Sequence, residues 1–177
     1  GGEVAKGLHE CRAEYFHHVV NLDLGLLELT NMSLFDEGNP TRRRECMKLV
    51  CLFCTYQEDA YRVAAMFLPG ITAYMRSSTP VAAHKLPIAA INQLRRFLPP
   101  LMFIEHPGLL KNLLKLMGAG LQDASYLVVC LTETMDGAFA IGTNAGARRA
   151  LLNMFAYSRV ETVRDRAARA VCNAYDT

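Results

Sequence analysis

Cys51 and Cys54 in the stretch VCLFCTY stand three residues apart, the spacing of redox and zinc motifs. A zinc centre takes four ligands, and the sequence holds no second pair of this kind. A redox pair follows a strand and opens a helix, whereas this pair lies inside an apolar helical run. Core packing is therefore expected at both cysteines. His17 and His18 are adjacent, and neighbours on a helix diverge too far to grip one ion. His9, His84 and His106 have no partner four residues on. There is no nucleophile elbow, phosphate-binding loop or dinucleotide glycine fingerprint. No metal, no cofactor and no enzymatic activity are expected.

What remains is the chemistry of arginine. Arg42-Arg43-Arg44, Arg95-Arg96 and Arg148-Arg149 are short basic clusters. Guanidinium forks match carboxylates and phosphates, so these clusters either face water or grip an anionic partner. The whole chain carries 19 Lys and Arg against 17 Asp and Glu, a formal net charge of +2. That balance argues against a dedicated nucleic-acid binder. No run of about 18 uncharged apolar residues exists, so no transmembrane helix is expected, nor is a signal peptide. The six cysteines fit reduced, buried thiols of an intracellular protein, the cytoplasm being favoured over the nucleus.

The elements that must position these groups all read as helix. Ala, Leu, Met and Arg abound, and sustained β-branched alternation is absent. The pattern predicts helices over 3–21, 23–33, 41–56, 58–67, 70–77, 79–97, 99–105, 108–117, 121–135, 137–143, 146–156 and 160–175. Gly38 and Asn39-Pro40 break the chain after the second, and Pro87 predicts a kink or a late start in the sixth. The fold class is all-α.

Gly70, Gly108 and Gly146 recur at equal intervals of 38 residues. Each is read as a turn between a short helix and a medium one, followed by a long helix. A fixed period of this size signals stacked repeats. A single unit cannot bury its apolar face alone, but stacked units build one core. The alternative is an ordinary helical bundle with glycines spaced by coincidence.

The stretch NAGARRALLNMFAYSRVETVRDRAARAVCNA resembles an armadillo repeat. Ala145-Gly146, Leu151-Leu152, the SRVET turn and Val171-Cys172-Asn173 carry the likeness. Gly108, Leu113-Leu114 and CLTETMDG repeat it, and Gly70 with Met75 do so less completely. Ser77-Ser78 and Pro87 depart from it. The resemblance implies an armadillo-like right-handed α-solenoid of about four repeats, the first degenerate, with units near 3–57, 58–98, 99–137 and 138–177. The two-helix HEAT repeat is the close relative of this pattern.

In that family the third helices line a concave groove, where a late asparagine clamps a peptide backbone and a tryptophan sits four residues earlier. Transferred here, Asn173 keeps the asparagine with Arg169 in the tryptophan place. Glu133 and Val129 follow in the unit before, then Arg96 and Asn92, and less securely Thr55 and Cys51. Tyr126 and Arg166 sit at the edge. The chain has no tryptophan, which argues against nuclear-import receptor activity. The implied function is a non-enzymatic scaffold that takes a partner polypeptide bearing carboxylates. The alternative is a tubulin- or nucleic-acid-binding array using Arg42–Arg44, Arg76 and Arg148-Arg149 on edge loops. Ala167, Ala170 and Val171 are expected to face the stack. The last helix then lacks a following unit, so a larger scaffold or end-to-end self-association is expected.

Overall fold

The computed structural model describes residues 24–55, 60–76 and 81–175. Ten α-helices and no strands occur among them. In chain order they are α1 (Leu24–Phe35), α2 (Pro40–Phe53), α3 (Ala60–Arg76), α4 (Lys85–Leu94), α5 (Leu101–Ile104), α6 (Leu109–Gly118), α7 (Gln122–Leu131), α8 (Met135–Thr143), α9 (Ala145–Tyr157) and α10 (Glu161–Tyr175). A 3₁₀ turn at Val81–His84 leads into α4. The helix expected over 3–21, with His9, Cys11, His17 and His18, lies outside the described residues.

From α3 onward the packing order has a period of three helices, and before it a step of two. α2 packs on α4, α4 on α7, and α7 on α10. Likewise α3 packs on α6 and α6 on α9, while α5 packs on α8. The helices of the first row after α2 begin at 85, 122 and 161, gaps of 37 and 39 residues. One hydrophobic cluster runs through the whole array, from Leu27 to Ala170. Its middle is filled by Phe67, Ile71, Phe103, Leu109, Leu113 and Leu127, all essentially inaccessible. At its C-terminal end Val163, Ala167 and Ala170 recur at helical spacing and bury one face of α10. Val171 is only half-buried.

The three glycines do not share one role, which corrects the reading of them as a repeated turn. Gly108 has φ +83° and forms the left-handed N-cap of α6. Gly146 is an ordinary helical residue inside α9, whose start is set by Asn144: its side chain accepts from the Ala147 amide at 3.0 Å. Gly70 lies in the middle of α3 and marks no break at all. A Cβ there would stand 2.6 Å from Asn31 Oδ1 and 2.7 Å from Leu34 Cδ1, so its function is close approach of α3 to α1.

The helices expected at 58–67 and 70–77 are thus one. Pro69 removes one hydrogen bond from α3, yet both Pro69 and Ala65, whose carbonyl it leaves, are exposed to water. Burial of Val63, Ala64, Phe67, Leu68, Ile71 and Met75 on both sides of the proline holds the helix together. Pro87 falls in the first turn of α4, where its missing N–H has no intrahelical partner to lose. The helix starts late rather than kinking. The long helix expected over 121–135 ends at Leu131, and α8 leaves it at 109°. Thr134 caps α8 by accepting from the Gly137 amide at 3.2 Å.

Candidate interaction surface on α4, α7 and α10

The groove residues named from the sequence fall mostly on one seam, where α4, α7 and α10 lie in a row. Its centre is Tyr126, half exposed on the second turn of α7. Arg95 at the C-cap of α4 and Arg166 on α10 approach its ring, their guanidinium carbons 5.6 and 5.7 Å from the centroid. Both distances suit a cation over an aromatic ring. Arg95 Nε donates to Asn92 Oδ1 at 2.6 Å, which ties the guanidinium back to its own helix. Arg95 Nη2 reaches the Tyr126 hydroxyl at 3.4 Å. Arg166 Nη1 donates to the Gln122 carbonyl at 2.6 Å and to Ser125 Oγ at 2.9 Å. Arg166 is therefore a strut between α10 and the first turn of α7, and only its remaining N–H groups can meet another molecule.

One turn further along, Arg169 and Glu133 pair at 3.4 Å with both side chains well exposed. Such a pair contributes little and opens readily. Asn173 Nδ2 donates to Thr132 Oγ1 at 3.0 Å, and Thr132 in turn donates to the Val129 carbonyl at 2.7 Å. The amide is thus engaged with the C-terminal end of α7, leaving one N–H and its carbonyl oxygen. Glu133, Met135, Ala138, Arg169 and Asn173 line a shallow hollow of about 340 Å³ here.

Two sequence assignments change. Val129 is 4% exposed and belongs to the core, because it sits on the face of α7 that packs inward. Arg96 is exposed beyond the end of α4, and Arg95 takes the place on the seam. Both arginines fit a helical stripe from Asn92, at three and four residues; the end of α4 at Leu94 selects the nearer one. Among the described residues no carboxylate pairs with Arg95, Arg96 or Arg166. The seam is a cationic strip in which Glu133 is the acid engaged.

The other clusters resolve differently. Arg43 is 3% exposed. Its Nε donates to the Leu34 carbonyl and its Nη2 to the Ala73 carbonyl, at 2.6 and 3.0 Å. It also lies over the Tyr74 ring at 4.8 Å. A buried cation thus serves the C-terminal turns of α1 and α3, where unpaired carbonyls concentrate negative potential. Arg42, Arg44, Arg148 and Arg149 are exposed. Cys51 Sγ donates to the Leu86 carbonyl at 3.2 Å, and burial pushes its thiol up to about 11. Burial raises Cys54 further still. Burial thus favours the protonated thiol at both positions.

Two clefts that sequence spacing did not reveal adjoin each other between α5–α6 and α8–α9, with volumes of about 590 and 620 Å³. They share Ile104, Glu105 and Asn144. His106, Lys111 and Lys115 line the first, and burial lowers the His106 pKa. The clefts arise where α5 and α6 meet α8 and α9, from residues far apart in sequence, and no local pattern encodes them. Among the described residues no single helix is long and apolar enough to cross a membrane.

Comparison with known proteins adds no assignment: no family model, no curated protein and no solved structure shows significant similarity to this chain.

Proposed function

We propose that the chain is an armadillo-like right-handed α-solenoid of about four repeats, the first degenerate, and that it acts as a non-enzymatic scaffold. The three-helix period of packing from α3 onward supports the repeat reading, with α2, α4, α7 and α10 as one row and α3, α6 and α9 as another. Units near 3–57, 58–98, 99–137 and 138–177 accommodate that order.

The single observation that carries the functional reading is the cationic strip of Arg95, Arg166 and Arg169 along the row of α4, α7 and α10, around an exposed Tyr126. Arginine and tyrosine are the side chains most enriched at binding hot spots. Arg169, in a weak exposed pair, exchanges Glu133 for a partner's carboxylate at little cost. Arg95 and Arg166 hold Tyr126 in place as a rigid platform. The occupant is a polypeptide segment bearing acidic residues, helical or extended.

Affinity capture from cell extract, read by mass spectrometry, tests this with wild type against an Arg95→Glu, Arg169→Glu double variant. The variant is expected to lose the captured proteins while keeping the wild-type melting temperature. Equal capture by both would remove the strip from consideration.

The polyanion reading rests on the edge arginines. Arg43 no longer contributes to it, because its guanidinium is consumed inside the fold. A steep fall of binding with salt would be needed to revive it.

A further inference from the structure

The two adjoining clefts bounded by α5, α6, α8 and α9 carry charges of opposite sign. Lys111 and Lys115 line the first, one turn apart on α6 and both exposed. His106 stands with them, but burial lowers its pKa, so the imidazole is neutral near neutral pH. Asp136, in the first turn of α8, lines the second cleft, and Glu105 lines both. Among the described residues none of these four charges enters an ion pair. Like charges four positions apart on a helix repel, so an anion set between the two ammonium groups relieves a cost that the free helix bears.

Between the charges the lining is largely apolar. Leu110 and Leu114, 5% and 7% exposed, form part of the first cleft. Phe139, 62% exposed, stands at the second. Aromatic side chains are enriched in the cores of interfaces. The clefts share Ile104, Glu105 and Asn144, which makes them one trough. Asp136 to Thr143 on α8 and Asn144 to Ala150 on α9 contribute about 10 and 9 Å of helix to its wall. A trough of at most about 20 Å takes about six residues of extended chain. A small anion would satisfy the lysines alone and leave Asp136 and Phe139 unused. A peptide with charges of both signs meets all of them.

We infer that this trough is a second docking site, for an extended peptide of about six residues with acidic side chains at one end and a basic one at the other. The acids meet Lys111 and Lys115, the base meets Asp136 and Glu105, and apolar side chains between them lie against Phe139, Leu110 and Leu114. The site uses helices other than those of the cationic strip and is independent of it.

Fluorescence anisotropy with labelled hexapeptides tests it. The probes are Lys-Leu-Ala-Leu-Glu-Glu and its reverse, with all-acidic and all-basic controls around the same apolar centre. Wild type is expected to bind one of the two bipolar peptides about tenfold more tightly than either control. A Lys111→Glu, Lys115→Glu variant makes the trough acidic throughout and should prefer the all-basic peptide, a gain of binding rather than a loss. The milder Lys111→Ala, Lys115→Ala variant should lose the bipolar preference, and Arg169→Glu, on the strip, should keep it. The proposal fails if neither bipolar peptide outbinds the controls on wild type, or if the preference survives the lysine substitutions. An all-acidic peptide or anilinonaphthalene sulfonate bound as tightly as the bipolar peptide would make the clefts a plain anion site. Sedimentation showing a dimeric wild type and a monomeric Lys111→Glu, Lys115→Glu variant would make a second copy the occupant. Either result overturns the assignment.

Discussion

The two halves of this chain solve one packing problem with different numbers of helices. Between 24 and 94 a long helix, α3, runs unbroken through Pro69-Gly70 and pairs with α4. Between 101 and 175 the corresponding stretches divide, α5 from α6 and α8 from α9, so that six helices fill this part of the chain. The glycines alone do not explain this, since both halves have one at the equivalent place. The division follows the groups that start a helix: a left-handed backbone at Gly108 and an accepting side chain at Asn144. The stretch around Gly70 has neither, and the close approach of α1 to α3 rewards continuity. Arginine shows the same contrast. Arg43 in the first half is sealed inside and serves two helix ends, whereas Arg166 in the second half joins two helices at a half-open surface.

The largest effect should come from Arg43→Ala. It strands the carbonyls of Leu34 and Ala73 in a buried site and empties the volume over Tyr74. A loss of about 4 kcal/mol is expected in denaturant unfolding. A loss below about 1 kcal/mol, the range of exposed ion pairs, would mean that this arginine is not the buried tie between α1 and α3.

A glycine series separates the halves next. Gly70→Ala should cost about 2 kcal/mol by pushing α1 from α3. Gly108→Ala should cost about 1 kcal/mol, the penalty of a left-handed residue with a side chain. Gly146→Ala meets only Asn144 Oδ1 at 3.4 Å and should be neutral or stabilising by about 0.5 kcal/mol. Equal effects at all three positions would restore them as one repeated turn. Asn144→Ala should cost about 1 kcal/mol, with faster amide exchange at the start of α9.

The smallest effects concern thiols. Cys51 is raised from about 9.0 to about 11 in the folded chain. Its contribution to stability is therefore complete below pH 9 and is lost as the pH climbs toward 11. A Cys51→Ala variant should show a flatter decline in melting temperature over that window. At pH 8 a thiol reagent should modify exposed Cys172 quickly and leave Cys51 and Cys54 intact until unfolding.

The helical class and the places of most helices were legible in periodicity, because amphipathic runs such as Leu109–Gly118 declare one buried face. Boundaries at Pro69 and Leu131 were not, because contacts from distant helices decide them. The burial of Arg43 left a trace: Arg43, Met47, Val50 and Cys54 lie on one stripe at spacings of four, three and four. Reading the three arginines as a cluster hid it. On the candidate surface, Asn92, Tyr126, Glu133, Arg166, Arg169 and Asn173 stand on α4, α7 and α10 or just past their ends. Val129 was misplaced, since α7 is packed on several sides and its buried arc is wide.

The most direct test of the cationic strip is a charge swap read by fluorescence anisotropy. Short acidic peptides are titrated against wild type and against Arg169→Glu, then the matching lysine-bearing peptides against both. Wild type is expected to bind the acidic series at least about tenfold more tightly, a difference of about 1.4 kcal/mol, and Arg169→Glu to reverse the preference. An acidic series that fails to bind, or a preference unchanged by the substitution, would contradict a strip built for a carboxylate-bearing polypeptide.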